Sequence, residues 1–305
     1  MRRANDSRHD RRVDMKMLVT GATGHFGRGV VETLLKRGLA DKLAVSVRNP
    51  MQAADLGARG VDVRQGDFDN PASLKSAFNG IDRILIVSTD GDNETRIRQH
   101  KTAVKAAQEA GVHLIAYTSI ANASHNPMSL SEVHRATEEA IRATGIPFVF
   151  LRNNWYLENE LGFVQAALAG APFSTSAGKG RVGWALRSDY AGAAAAVLAG
   201  SGHENKVYEL SGPLADYDDI AEALSQVLGH PVNVNHVDDE AYGKGLAAAG
   251  VPDFVVPILA GFARGIREGA LAVKSNDLQK LLDRPVTPLR EALQQLVEQA
   301  RIKVN

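Results

Sequence analysis

Met17-Leu18-Val19-Thr20-Gly21-Ala22-Thr23-Gly24-His25-Phe26-Gly27 is a short apolar run that breaks into three glycines, three residues apart. The run reads as a buried strand, and Val30-Val31-Glu32-Thr33-Leu34-Leu35 beyond it reads as a helix. Strand, glycine turn and helix in that order are the context that a dinucleotide-binding fingerprint requires and that a bare glycine pattern lacks. Gly21 would permit the tight turn, Gly24 would let backbone approach a pyrophosphate, and Gly27 would let the helix pack closely on the strand. The unpaired N–H groups at the helix start would then hold the phosphates. The bland alternative is an ordinary glycine-rich turn, and both flanks argue against it.

Outward from this turn, strand-like runs alternate with helical patterns. Strands are expected at 16–20, 43–47, 61–65, 84–87, 114–118 and 148–151, with helices at 25–37, 51–58, 71–78, 94–110 and 130–143. Continuous β-branched runs joined by helices mean a parallel sheet covered on both faces, in an α/β doubly wound fold that binds its ligand after the first strand. Beyond residue 152 the alternation weakens. Residues 156–186 look irregular, Asp189–Leu198 reads as an Ala-rich helix, and Val207-Tyr208-Glu209-Leu210 reads as a further sheet strand. Residues 216–228, 239–249, 253–266 and 288–300 look helical, with a short strand near 232–237. The expected organisation is a cofactor domain over 15–152, its sheet completed by about 187–212. Residues 153–186 and 213–305 would form a small, mostly helical substrate-side lobe covering the cofactor site.

The bulk numbers exclude several classes. Lys+Arg and Asp+Glu each number 35 in 305 residues, so no global charge attracts nucleic acid or anionic lipid. With no cysteine, disulfides, thiolate metal sites and cysteine nucleophiles are excluded; a reducing cytoplasm is compatible and expected. No apolar segment reaches the length of a membrane span. His100 and His125 stand singly, and no metal site is expected. Residues 1–14, MRRANDSRHDRRVD, are basic and nearly devoid of apolar residues. Their two Arg-Arg pairs lack the apolar stretch of an export signal, so a disordered tail or added extension is expected.

Chains that bind NAD usually end the second strand with an acid that hydrogen-bonds the ribose hydroxyls. Here that strand ends Ser46-Val47-Arg48-Asn49-Pro50. Without the acid, Arg48 is placed to pair with a 2′-phosphate, which favours NADP(H). Asp67 and Phe68 after the third strand would border the adenine, and Val87-Ser88-Thr89 after the fourth would lie along the ribose and nicotinamide.

Short-chain dehydrogenases carry a Tyr-x-x-x-Lys proton relay on the helix after strand five, with a serine on that strand. Ser119 fits the serine, but His134 and Glu138 occupy the tyrosine and lysine spacing. A carboxylate there raises a neighbouring acid's pKa where the lysine would lower it. His134 could donate a proton, or it could simply pair with Glu138 one helical turn on. A quinone or a cationic dye carbon can accept hydride without a strong general acid. After strand six, Asn153, Asn154, Trp155 and Tyr156 form a polar-aromatic cluster suited to a carboxamide and a planar ring, though the aromatics could equally seal a lobe interface.

Taken with the glycine turn, Val47-Arg48-Asn49-Pro50, Ile115-Ala116-Tyr117-Thr118-Ser119 and Leu151-Arg152-Asn153-Asn154-Trp155-Tyr156-Leu157-Glu158-Asn159 carry a family resemblance. Arg187-Ser188-Asp189-Tyr190-Ala191 and Lys206-Val207-Tyr208-Glu209-Leu210-Ser211-Gly212 extend it. The chain resembles the NmrA-like atypical short-chain dehydrogenase/reductases, and particularly bacterial type 2 NAD(P)H:quinone oxidoreductases. That resemblance implies a Rossmann domain with a small C-terminal lobe, NADPH binding and two-electron reduction of quinones. It carries Gly21, Thr23, Gly24, His25, Phe26 and Gly27 over as phosphate-loop positions and Arg48 as the 2′-phosphate contact. Asn153, Trp155 and Tyr156 carry over as the nicotinamide-side pocket. Asn154 departs from an expected glycine, and the basic extension lies outside the pattern. A non-catalytic NADP-binding redox sensor and a reductase of triarylmethane dyes are the rival expectations; a homodimer is left open.

Overall fold

The computed structural model describes residues 15–304, so the expectation for residues 1–14 lies outside the described residues. The strands are β1 (Met17–Thr20), β2 (Leu43–Val47), β3 (Asp62–Gln65), β4 (Arg83–Ile86), β5 (Leu114–Ile120), β6 (Phe148–Asn153), β7 (Phe173–Thr175), β8 (Lys206–Leu210) and β9 (Val234–His236). The helices are α1 (His25–Lys36), α2 (Ala54–Gly57), α3 (Pro71–Phe78), α4 (Asn93–Glu109), α5 (Leu130–Ala143) and α6 (Leu161–Leu168). They continue with α7 (Arg187–Ala199), α8 (Tyr217–Leu228), α9 (Asp239–Ala248), α10 (Val256–Arg267), α11 (Asp277–Leu282) and α12 (Leu289–Val304).

Seven strands form one sheet in the order β3-β2-β1-β4-β5-β6-β8, and β1 to β5 pair in parallel. Winding reverses at β1, which pairs Met17 with Leu43 of β2 on one side and with Arg83 of β4 on the other. This is a Rossmann-type doubly wound sheet, and the glycine turn leaves β1 at its switch point. β1 and β2 are buried along their whole length because their Leu, Val and Ala side chains face covered surfaces on both sides of the sheet. Local chemistry sets the helix starts. Asn70 accepts from Ser73 N at 3.2 Å with Pro71 in the first turn of α3, and Asp92 accepts from Thr95 N at 2.9 Å to begin α4.

The chain divides into two compact units. The first comprises residues 15–119, 133–151 and 191–208; the second comprises 120–132, 152–190 and 209–304. The first unit's core joins Leu18, Ile84, Ile86, Ile115, Tyr117 and Phe150 with the helix residues Leu74, Phe78 and Val104. The second unit has its own core, centred on Phe163, Trp184, Tyr217, Ile220, Leu224, Leu293 and Leu296. Phe163 stacks on Phe173 at 4.3 Å between ring centres, and Tyr217 leans on both.

Residues 156–186, expected to be irregular, contain a 3₁₀ turn at Leu157–Glu160, α6 and β7. β7 escapes a local reading because three residues carry no periodicity and its partner β9 lies sixty residues away, Phe173 pairing with Val234. α11 was likewise not expected; its six residues are too few to show a helical period.

Candidate active site

The first unit builds a phosphate cradle from backbone. Gly21 turns the chain at φ +63°, and its N–H donates to Ser46 O at 3.2 Å. Gly24 N donates back to Gly21 O at 3.0 Å and caps α1, with no side-chain cap and no acid in the first helical turn. Thr23, Gly24 and His25 are exposed while Phe26 and Gly27 are buried. A side chain at Gly27 would place its Cβ 2.3 Å from Gly21 O, so only glycine lets the helix approach the turn. Among the described residues no side chain caps α1 at Gly24, and Thr23, Gly24 and His25 leave the rim exposed, as an anion requires.

Around this cradle the other expected cofactor residues divide. Val87 lies beside Gly21, with its Cβ 3.6 Å from where a Gly21 Cβ would be, and its N–H donates to Thr20 Oγ1 at 2.9 Å. Arg48, at the end of β2, is exposed, and its guanidinium makes no hydrogen bond or ion pair among the described residues. It is near enough to Asp69 to help hold that carboxyl below its usual range, behind the hydrogen bonds from Arg98 and Gln99. Asp67 is engaged in its own turn, its Oδ1 accepting Asp69 N at 3.0 Å, and Phe68 is half-buried against the core.

Ser88, Thr89 and Ser119 are tied into a buried polar network. Arg96, 6% exposed, donates to Ser88 Oγ at 2.9 Å and leaves its Nε without a partner. His100 Nε2 accepts the Thr89 N–H at 3.0 Å, so its proton sits on Nδ1, which donates to Thr137 Oγ1 at 2.9 Å. Protonating Nε2 would aim one N–H at another. Burial and the Arg96 charge add to that cost, and the imidazole is held down to about 3. Tyr117 Oη meets His134 Nδ1 at 2.9 Å, and burial carries that imidazole well below its ordinary value. Ser119 Oγ donates to Glu138 Oε1 at 2.7 Å, and Arg142 reaches Oε2 at 3.2 Å. The partner of His134 is therefore the strand tyrosine and not Glu138, the pairing weighed against a proton-donor role. At neutral pH it is an uncharged ring, poorly suited to act as an imidazolium donor.

In the second unit, Asn153 ends β6 and is buried. Its Nδ2 donates to Tyr156 Oη at 3.0 Å, while its Oδ1 is buried without a partner. Arg187 lies over the Tyr156 ring at 5.3 Å and Tyr190 packs on the same ring at 5.3 Å. Trp155 is half-buried, edge-on to Phe262 at 5.4 Å. Asn154, expected in the substrate pocket, is instead buried with its amide fully used. It donates to Leu271 O at 3.0 Å and Ser211 Oγ at 3.4 Å, and accepts Trp155 N at 2.8 Å. It lies one residue beyond the end of β6, outside the regular alternation of strand faces.

The NmrA-like family profile matches residues 14–264. The chain belongs to the NmrA-like family. Quinone oxidoreductase 2 of Escherichia coli (strain K12) is 38% identical to it over 279 residues, 91% of this chain and 97% of that protein. The solved structure of Citrobacter sp. triphenylmethane reductase complexed with NADP(H) matches with a TM-score of 0.88 at 41% identity, covering 93% of this chain and 100% of that chain. The structure of NADPH-dependent quinone oxidoreductase from E. coli complexed with NADPH matches with a TM-score of 0.87 at 36% identity, covering 95% and 100% of the two chains.

Sequence reasoning missed two parts of this NmrA-like chain. One is the Arg96–His100–Tyr117 group, where His100 on an otherwise amphipathic helix was the available signal. The other is Glu160, 5% exposed, which accepts from Trp184 Nε1 and Tyr217 Oη, each at 3.1 Å. Burial lifts its carboxyl to about 7 against the pull of those donors. Among the described residues no helix is long and apolar enough to cross a membrane, and no three His, Asp or Glu side chains gather as metal ligands.

Proposed function

We propose that this chain is an NADPH-dependent reductase of quinones or comparably electron-poor planar acceptors. The observation that carries it is the cradle at the start of α1, uncapped and without acid, beside a strand whose last cation is free. These residues fit the cofactor. Gly21 and Gly24, whose N–H groups are bonded to Ser46 O and Gly21 O, would shape the turn, Thr23, His25, Phe26 and Gly27 would line it against the pyrophosphate, and Arg48 would take the 2′-phosphate. The orphaned Asn153 Oδ1 would accept from the nicotinamide carboxamide, with its amide orientation fixed by Tyr156. When bound, the reduced nicotinamide supplies a hydride.

The chain's own contribution is placement and exclusion. Val87 packs beside the cradle, and Trp155 and Tyr156 offer flat walls to a planar ring. Burial and the Arg96 charge keep His134 neutral and its hydrogen bond with Tyr117 fixes it, so protonation of the reduced acceptor falls to solvent. Ser119, committed to Glu138, and Asn154, committed to the core, support these positions without touching ligand. The relatives named for quinone and triphenylmethane reduction support an acceptor of this class.

The test is multi-turnover NADPH oxidation by small quinones and triarylmethane dyes. Gly24→Val, which sets a branched side chain on the exposed rim 3.3 Å from Gly21 O, should cut NADPH affinity by about 100-fold with the fold intact. Tight NADPH binding without turnover of any acceptor would overturn the reductase in favour of a redox sensor.

A further inference from the structure

Five large apolar side chains are exposed among the described residues, and two of them, Phe254 and Ile258, stand one helical turn apart in the second unit. The others are scattered singly, which is ordinary for a folded surface. Along α10, residues four apart pass from core to solvent. Ile266 is 2% exposed, Phe262 is half-buried, Ile258 is 46% exposed, and Phe254, in the turn that leads into the helix, is 77% exposed. Side chains at this spacing lie on one face, so they form a single apolar stripe that runs out of the core. It leaves the core beside the acceptor wall, because the Phe262 ring meets the Trp155 ring edge-on at 5.4 Å. The stripe is also held in place. Arg264 and Arg267 pair with Asp239 of α9 at 3.2 and 2.8 Å. Val256 packs on α9, its Cγ1 3.6 Å from where a Gly243 Cβ would stand. Val256 and Ile258 are two residues apart and face different sides, so α9 leaves the stripe uncovered.

We propose that this stripe binds an apolar side chain carried by the acceptor, so that the preferred substrates are quinones bearing a linear hydrocarbon substituent. The inference rests on the reductase reading above and narrows its substrate. A planar ring against Trp155 sets its substituent toward Phe262, and the stripe continues from there. Phe262 and Phe254 are eight residues apart, ~12 Å at the helical rise, a span matched by a decyl or geranyl chain. The exposed area also fits a hydrocarbon chain better than a protein. Phe254 and Ile258 together offer on the order of 200 Å², whereas a stable dimer buries about 800 Å² on each partner. Asp253, an exposed acid, directly precedes Phe254 and opposes attraction to an anionic lipid surface. Methylenes laid on the stripe leave water, while the ring and its hydride step are the same whatever the substituent. Substituent binding therefore lowers KM and leaves kcat unchanged.

The experiment gives the full chain NADPH and two benzoquinones that differ in one substituent, methyl or decyl. In the wild type the decyl homologue should show a KM about 30-fold lower at equal kcat. In the double variant Phe254→Ser with Ile258→Asn, that ratio should fall to about threefold. Both positions are exposed, so the fold should survive, and the ratio is read within one preparation. A ratio unchanged in the double variant overturns the proposal. A wild-type dimer that the double variant turns into a monomer in sedimentation overturns it too, by giving the stripe to a second copy. Cosedimentation with phosphatidylcholine vesicles, lost in the double variant, does so by giving it to a lipid surface. Quenching of tryptophan emission by each quinone without NADPH reads the same preference at equilibrium. Reduction of neither quinone, with the quenching preference intact, overturns the reductase reading and keeps the stripe. Reduction of both with equal KM values does the reverse.

Discussion

The first unit buries histidines and keeps them neutral; the second buries a glutamate and lets it ionise only near neutrality. Both take a titratable group out of water, and the direction of the cost differs. His100 is kept uncharged by burial and by the Arg96 charge, and its Nε2 already receives the Thr89 N–H. Glu160 is held by donors, which favour its charged form but do not fully repay desolvation. The two units should therefore lose stability at opposite ends of the pH scale.

The largest expected effect is in the first unit. A histidine whose folded value is depressed contributes nothing adverse above its unfolded value of 6.5. Its folded state is then penalised progressively as pH falls toward about 3. The loss runs at about 1.4 kcal/mol per pH unit in that window, and His134 acts in the same direction. Amide exchange in peptides from β4, β5 and α4 should accelerate steeply between pH 6.5 and 4.5 after correction for intrinsic rates. His100→Gln, which retains an acceptor but cannot take a proton, should flatten that dependence. Equal acid slopes in the two proteins would remove the histidines from the comparison.

The second unit should answer in reverse. Glu160 has a folded value raised to about 7 from 4.5, so its favourable contribution is complete below pH 4.5 and is lost as pH rises through 7. Glu160→Gln should accordingly be more stable than wild type at pH 8 by about 3 kcal/mol, with the gap closing below pH 4.5. Urea unfolding followed by tryptophan emission reads this unit, because both tryptophans lie in it. A variant less stable than wild type at pH 8 would show that the Glu160 cage is a net stabiliser when ionised.

How much of this was legible follows the range of the interactions. The glycine turn, the succession of strands and helices along the chain and the helices at 71–78 and 94–110 rest on residues a few positions apart, and they read directly from the chain. The burial of Glu160 does not. Glu158 and Glu160 look alike in Leu157-Glu158-Asn159-Glu160, yet Glu158 is half-buried and accepts Arg187 N at 2.9 Å. Glu160 is sealed by Trp184 and Tyr217, 24 and 57 residues away. Asn153 and Asn154 pose the same difficulty at single-residue scale. One keeps an unpartnered oxygen and the other is consumed by Leu271 and Ser211, partners 117 and 57 residues away that leave no trace in the local sequence. His134 was ambiguous until Tyr117 was seen to hold it; a tyrosine in an apolar strand gives no sign of where its hydroxyl goes.

The smallest effect separates buried charge from exposed charge. Arg48 belongs to the first unit, is exposed, and its guanidinium makes no hydrogen bond or ion pair among the described residues, only a weak attraction to the exposed Asp69 carboxyl. Removing it should leave the acid and alkaline profiles of both units nearly unchanged, since no hydrogen bond is lost and its pull on the exposed Asp69 carboxyl is the least of that group's interactions. Its whole contribution should fall on the 2′-phosphate, where a charge-assisted pair at an exposed site is worth about 1.5 kcal/mol. Arg48→Ala should therefore weaken NADPH binding by about tenfold and NADH binding by less than about twofold, measured by calorimetry on one preparation. The NADPH loss should also shrink in 0.5 M salt, because screening acts on an exposed pair and spares buried ones. Equal losses for the two cofactors would mean that the end of β2 shapes the adenosine pocket without reading its phosphate, and that selectivity resides elsewhere in the first unit.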